Sequence, residues 1–248
     1  MSICIDLNCD MGEGCLTDEW IMPFISSANI ACGYHAGDIS TIKQTIELAL
    51  KHGVAIGAHP SYPDKEGFGR RAMEMENKAL HDILVSQIEL IKSIASSMGT
   101  TIGHVKPHGA LYNKAADNYS VALTIAKAIK KIDPALQLYG LPGSELETAA
   151  KNEGILFCKE VFCDRTYTDD GRLSPRTKEN ALINSAHEAL SQAMQVIKEK
   201  TITSTSGKLI NIEADTLCIH GDGPHAVEFA RMIRAGLEKE HITIVACK

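Results

Sequence analysis

Four of the ten histidines, His35, His59, His108 and His220, each stand just past a short apolar run and each is wrapped in Gly or Pro. The local strings are C-G-Y-H-A-G-D, G-A-H-P-S-Y-P, K-P-H-G-A-L-Y-N and H-G-D-G-P-H. Imidazole exchanges protons near neutral pH and ligates metals. Other chemistry-bearing side chains occur at equivalent places. Asn8 and Asp10 lie in N-C-D-M-G-E-G, Lys106 opens K-P-H-G, Asp164-Arg165 and Arg176 follow a later apolar run, and Asp222 sits inside H-G-D-G. A lone histidine is more often structural than functional. Four of them at matching positions, beside glycines that let backbone approach a ligand, point to one polar site. Asp10, His35, His59, Lys106, His108 and Asp222 are the acid, base and charge candidates for catalysis. Asn8, Asp164, Arg165, Arg176 and His220 are the candidates for holding substrate or phosphate, since a guanidinium grips a carboxylate or phosphate through two parallel hydrogen bonds.

Each of these residues also has a plainer reading. Asp6, Asn8 and Asp10 alternate along one strand face and can serve neighbouring backbone. Arg70-Arg71, like Asp164-Arg165 and Arg176, can grip a carboxylate or phosphate or be a surface ion pair. A lysine directed into a barrel, as the spacing of Lys106 and His108 suggests, is costly unless paired or working. Metal is open: Asp10, His35 and His59 offer one oxygen and two nitrogens to a divalent ion, yet there is no H-E-x-x-H and no close histidine pair. H-G-D-G-P-H can cradle an anion at a helix start but is not a Walker A sequence. His52, His81, His187 and His241 fall on helices or near element ends and are expected at the surface.

The elements that must position these groups alternate. Strand candidates run over 3–8, 28–32, 54–58, 103–106, 136–141, 155–162 and 216–219, with a possible eighth at 242–246. Between them lie helical patterns, such as Ile39, Ile42, Ile46, Ala49 and Leu50, which Asp38 can cap and Gly53 can end. Strand and helix repeated about seven times mean a parallel sheet under helices, here expected as one α/β domain over residues 1–248 closed into a barrel. Ligands then bind where the strand C-termini open, which is where the polar strings fall. No G-x-G-x-x-G follows the first strand, which removes the dinucleotide fingerprint. Residues 201–214, with Ser206-Gly207 at their centre, predict an inserted hairpin.

Composition narrows the function classes. The chain has 248 residues, 44% hydrophobic and 23% charged, with a net charge of −6. That is globular, and too acidic and patch-free for a nucleic-acid or membrane-surface binder. No apolar run approaches a bilayer span and no signal peptide is expected. Eight cysteines without a CxxC pair fit a reduced, cytoplasmic protein whose thiols mostly serve as small apolar residues.

Six ordered strings resemble the LamB/YcsF family: D-L-N-C-D-M-G-E-G, S-A-N-I-A-C-G-Y-H-A-G-D, G-A-H-P-S-Y-P-D-K-E-G-F-G-R-R, V-K-P-H-G-A-L-Y-N, E-V-F-C-D-R-T-Y with G-R-L-S-P-R, and T-L-C-I-H-G-D-G-P-H. They run from Asp6 to His225. The resemblance implies a distorted TIM-like (β/α)7 barrel of the glycoside hydrolase/deacetylase type. It also implies hydrolysis of 5-oxo-L-proline to L-glutamate coupled to ATP hydrolysis, in a complex with two further subunits, B and C. Two other readings stand beside it: a metal-dependent deacetylase of an N-acyl sugar, and a small-molecule-binding subunit without chemistry of its own.

Overall fold

The first strand, β1 (Cys4–Met11), is buried along nearly its whole length, as a barrel strand must be when one face meets the interior and the other meets helices. A computed structural model describes residues 3–247 apart from 222 and 224, so the expectation for Asp222 lies outside the described residues. After β1 come α1 (Asp18–Ile21), β2 (Ser27–Ala31), α2 (Ile39–His52), β3 (Ala55–His59), α3 (Asn77–Ser97), β4 (His104–Val105), α4 (Gly109–Asp117), α5 (Tyr119–Ile132), β5 (Gln137–Gly140) and α6 (Glu145–Glu153). The chain continues with β6 (Phe157–Phe162), α7 (Ala186–Glu199), β7 (Thr201–Thr203), β8 (Leu209–Asn211), β9 (Thr216–Ile219), α8 (Ala226–Lys239) and β10 (Thr243–Ile244).

Seven parallel strands close in the order β1-β2-β3-β4-β5-β6-β9, and β9 returns to β1 through the register Asp6↔Thr216 to Cys9↔Ile219. The expected distorted (β/α)7 barrel is therefore present. The apolar run at 242–246 is not an eighth stave. Its β10 pairs only with the beginning of β1, Cys4↔Thr243, below the point where β9 takes that edge. The helix signals act as written: the Asp38 carboxylate accepts from the Thr41 N–H at 2.8 Å, and Gly53 ends α2 at φ +67°. The inserted hairpin is β7–β8, antiparallel, with Gly207 at φ +87° in its turn. α4 was not legible as a helix, because it begins directly on the glycine of K-P-H-G and lasts nine residues.

The helices bury their apolar faces against the outside of the barrel, with Ile42, Ile46, Leu84, Ile88, Ile125 and Ile233 all inaccessible or nearly so. Inside, the barrel is polar. Strand alternation turns Asp6, Asn8 and Asp10 inward while Leu7, Cys9 and Met11 face the helices. One glycine is required by close approach. A Cβ on Gly57 of β3 would meet His104 Nε2 at 2.1 Å, so the imidazole occupies the space a side chain would take.

The cysteines depart from expectation at one pair. Cys158, early in β6, and Cys247, in the C-terminal tail, are joined in a disulfide at a Cα–Cα distance of 6.6 Å. They are 89 residues apart in sequence, so spacing gave no sign of it. Cys9, Cys32, Cys163 and Cys218 are buried and outside any disulfide. Among the described residues no helix is long and apolar enough to cross a membrane.

Candidate functional site

The polar interior builds upward into the mouth. At its foot the buried Asp6 carboxylate accepts from Ser26, Ser27 and Thr216 hydroxyls at 2.6, 2.8 and 2.7 Å. Burial raises its pKa against these hydrogen bonds. Above it, Asn8 donates to Thr216 at 2.7 Å and accepts from Asn29, which also donates to Asp10 at 2.8 Å. The Asn29 carbonyl meets His104 Nε2 at 2.8 Å, and the His104 ring stacks on Tyr139. Burial holds that imidazole down to about 3, and it stays neutral.

Lys106 tops this column. Its ammonium lies 2.8 Å from Asp10 Oδ1 and 2.9 Å from Glu160 Oε1, with all three side chains almost fully buried. Burial opposes its charge, yet the two carboxylates overcome this and hold the lysine protonated. Burial likewise pushes Asp10 up, but His59 and Lys106 pull its carboxyl well below the usual range. The inward lysine thus has the partners that its burial requires.

On one side of Lys106 three imidazoles gather. His59 Nδ1 is 2.7 Å from the Lys106 carbonyl, and His59 Nε2 is 2.9 Å from His108 Nδ1. His108 Nε2 reaches the Phe68 carbonyl at 2.8 Å. His35 stacks on His108 at 3.8 Å between centroids, and its Nε2 is 3.0 Å from Glu13 Oε1. Burial, reinforced by His59, holds His35 down to about 3. The Glu13, His35, His59 and His108 ligand atoms all lie within 4.8 Å of one another, a group that could hold a metal ion.

On the other side stands His220. Its Nδ1 and its backbone N–H both meet the Asp164 carboxylate, at 2.9 and 3.0 Å, and its ring stacks on Phe162. Burial pushes the Asp164 carboxyl up, but His220 outweighs it and the net shift is downward. This is an imidazole oriented by a buried carboxylate. Arg165 donates to the Ser174 carbonyl at 2.6 Å and to the Ala181 carbonyl at 3.3 Å. It thereby ties down the irregular segment 164–185, which carries the exposed Arg176 to the rim. Burial and then Arg176 push Arg165 down to about 10.

A cavity of about 360 Å³ lies between the two sides. Of the residues expected at the site, Asp10, His59, Lys106, His108, Arg165, Arg176 and His220 line it. Asn8 lies beneath it in the interior network, His35 behind His108, and Asp164 behind His220. Arg70, for which anion binding and a surface ion pair were both open, lines the cavity as well, and one charged lining residue fell outside the sequence candidates, Glu13. Glu13 follows the strand, where alternation no longer says which way a side chain points. Gly12 at φ +72° and Gly14 at φ +86° turn the chain so that it comes back over the mouth. Its only sequence signal was its place in the glycine-flanked string. Arg70 lies over the Phe68 ring at 4.8 Å, whereas Arg71 takes the surface reading, 3.7 Å from Asp64. Glu160 is the second addition, its signal an acidic residue beside Lys159 in a strand whose other residues are apolar.

The model of the LamB/YcsF family matches residues 5–248. The chain is 48% identical to a protein of Tolumonas auensis named as the A subunit of 5-oxoprolinase, over 98% of each. It is 47% identical to the protein of the same name from Bordetella pertussis, over 99% of this chain and all of that one. Among solved structures, the lactam utilization protein from Thermus thermophilus superposes with a TM-score of 0.92 at 38% identity, over 98% of this chain and all of that one. A family 4 carbohydrate esterase from Streptomyces lividans superposes with a TM-score of 0.53 at 11% identity, over 97% and 91% of the two chains, a likeness of fold alone.

Proposed function

The chain belongs to the LamB/YcsF family, and from that premise we propose that it is the A subunit of an ATP-dependent 5-oxoprolinase. It opens the lactam of 5-oxo-L-proline to L-glutamate in a complex with subunits B and C. The observation that carries this reading is the 48% identity, over 98% of both chains, with a relative named for that enzyme.

The mouth suits the chemistry. A lactam carbonyl is a poor electrophile. Moving the terminal phosphoryl of ATP onto the amide oxygen turns that oxygen into a leaving group and opens the ring carbon to water. One water adds to that carbon, the C–N bond breaks as the ring nitrogen takes a proton and becomes the amine, and a second water cleaves the resulting acyl phosphate to the carboxylate and inorganic phosphate, with ADP as the other product. Lys106 and Arg176 offset the negative charge of phosphate and substrate carboxylate. His220, held by Asp164 through Nδ1, is placed to take the water's proton. His108 and His59 flank the opposite wall and Asp10 the floor. The sequence has neither a Walker A nor a G-x-G-x-x-G run, so the reading assigns ATP to the assembled complex and not to this mouth alone.

The test is ATP-dependent glutamate release from 5-oxoproline, run with this chain alone and with B and C added. Turnover is expected only in the full complex. His108→Ala or Asp10→Asn should lower it by about a hundredfold or more. Wild-type turnover in both variants, or glutamate release by B and C without this chain, overturns the assignment.

A further inference from the structure

The histidine cluster cannot be neutral and complete on its own. A backbone carbonyl only accepts, so His59 carries its proton on Nδ1, facing the Lys106 carbonyl. Its lone pair is then on Nε2. For the same reason His108 carries its proton on Nε2, facing the Phe68 carbonyl, and its lone pair is on Nδ1. These two lone pairs face each other at 2.9 Å. The surrounding atoms add more acceptors. Glu13 Oε1 is 3.3 Å from His108 Nδ1 and 3.8 Å from His59 Nε2, and Asp10 Oδ2 is 3.3 Å from His59 Nε2. Acceptors aimed at one another repel unless a cation lies among them.

We propose that Glu13, His35, His59 and His108 bind one divalent transition-metal ion at the cavity wall. Three further observations agree. The far ring nitrogens of His59 and His108 are anchored on backbone carbonyls, the arrangement that orients metal-binding histidines. His35, buried and 3.0 Å from Glu13 through Nε2, leaves its Nδ1 without a hydrogen-bond partner, so the cluster's bonding is incomplete as it stands. The separations among Glu13, His59 and His108, 2.9 to 3.8 Å, bracket the roughly 3.3 Å between ligand atoms that sit ~2.0–2.1 Å from a tetrahedral ion, and with His35 included the four ligand atoms lie within 4.8 Å. Three imidazoles and one carboxylate select zinc, cobalt, nickel, iron(II) or manganese over magnesium and calcium. Glu13, His59 and His108 line the cavity, so the ion faces it and can take a water or a substrate oxygen. The competing occupant is a single proton shared between His59 and His108. It would satisfy that one pair and leave the buried His35 Nδ1 without a partner.

Binding is independent of the 5-oxoprolinase reading, because it is measured on this chain without substrate or partners. The full-length protein is stripped with a chelator and titrated calorimetrically with zinc, cobalt and manganese, with bound metal counted by elemental analysis after dialysis. One ion per chain is expected, with the cobalt form showing the visible absorption of a low-symmetry nitrogen/oxygen site. Glu13→Gln and His59→Ala should each weaken binding by about 10–100-fold or more, while His220→Asn, across the cavity, leaves it unchanged. Circular dichroism confirms that each variant is folded. If Glu13→Gln fails to fold, Glu13→Asp, which keeps the charge and shortens the reach, replaces it. The proposal is overturned if none of the three ions binds at about 100 µM, two decades above micromolar affinity. It is equally overturned if binding is indifferent to Glu13 and His59, or if nitrogen NMR shows a proton shared by the two rings that added metal does not displace.

Discussion

Gly57→Ala should be among the most damaging conservative substitutions in the protein, and its cost should overlap strongly with that of His104→Ala. The new methyl would lie 2.1 Å from His104 Nε2 and 2.2 Å from Cδ2, against an ordinary contact of at least 3.4 Å. The ring must therefore retreat by about 1.3 Å (3.4 − 2.1). It is held by stacking on Tyr139 and by its 2.8 Å contact with Asn29. Overpacking of this kind costs about 1–3 kcal/mol, and losing the Asn29 partner in a buried site adds about 1–3 more. We expect a loss of about 3–5 kcal/mol for Gly57→Ala, a large share of a typical domain's stability. His104→Ala alone should cost about 3 kcal/mol through its cavity and the unsatisfied Asn29 carbonyl. In the double variant the methyl introduced at position 57 enters space the imidazole has left, and the clash disappears. The pair should then be less destabilised than the sum by about 2–3 kcal/mol. Urea denaturation of the four proteins measures this, provided the m-values agree. Additivity within about 0.5 kcal/mol would refute the claim that glycine is there to make room for the ring.

Two further outcomes follow from the buried charges. Lys106→Met strands the Asp10 and Glu160 carboxylates without their shared cation, and should cost about 3–5 kcal/mol; adding Glu160→Gln should recover part of the loss in thermal denaturation, and a single variant as stable as wild type contradicts the pairing. The Asp164 carboxyl has a folded pKa below its unfolded value near ~3.9, so its contribution is fully present above that pH and is lost as pH falls through the folded value. The stability gap between wild type and Asp164→Asn, followed by urea denaturation, should close on acidification below about pH 4, and a gap that widens there is incompatible with the Asp164–His220 pair.

The barrel was legible because periodicity changes where an element changes, and because Asp38, Gly53 and the Ser206-Gly207 turn mark boundaries that depend on local chemistry alone. The positions of His59, Lys106, His108 and His220 were legible for a related reason: a residue at a strand's C-terminal end has its destination fixed once the sheet is parallel. Glu13 was not, since two glycines at positive φ decide its direction. The division of labour was also hidden. Nothing in the order of the chain says that Asp164 serves His220, or that Arg165 spends two of its donors on loop carbonyls. The Cys158–Cys247 disulfide depends on where a short C-terminal strand docks, which is a tertiary outcome.

The hydrogen-bonded interior has a bearing on how such a protein can change. In a barrel filled with aliphatic side chains, inner layers and rim can be altered separately, one governing folding and the other turnover. Here Asp6, Asn8, Asn29, His104 and Lys106 form one connected set running from the foot of the barrel to the mouth. A substitution along it is expected to reach Asp10, through Asn29 or Lys106, as well as to change the stability of the whole. Library designs that recruit this scaffold for other cyclic amides therefore have most freedom in Arg70, Asn113 and Thr177, which border the cavity from loops and from α4 and stand outside that set.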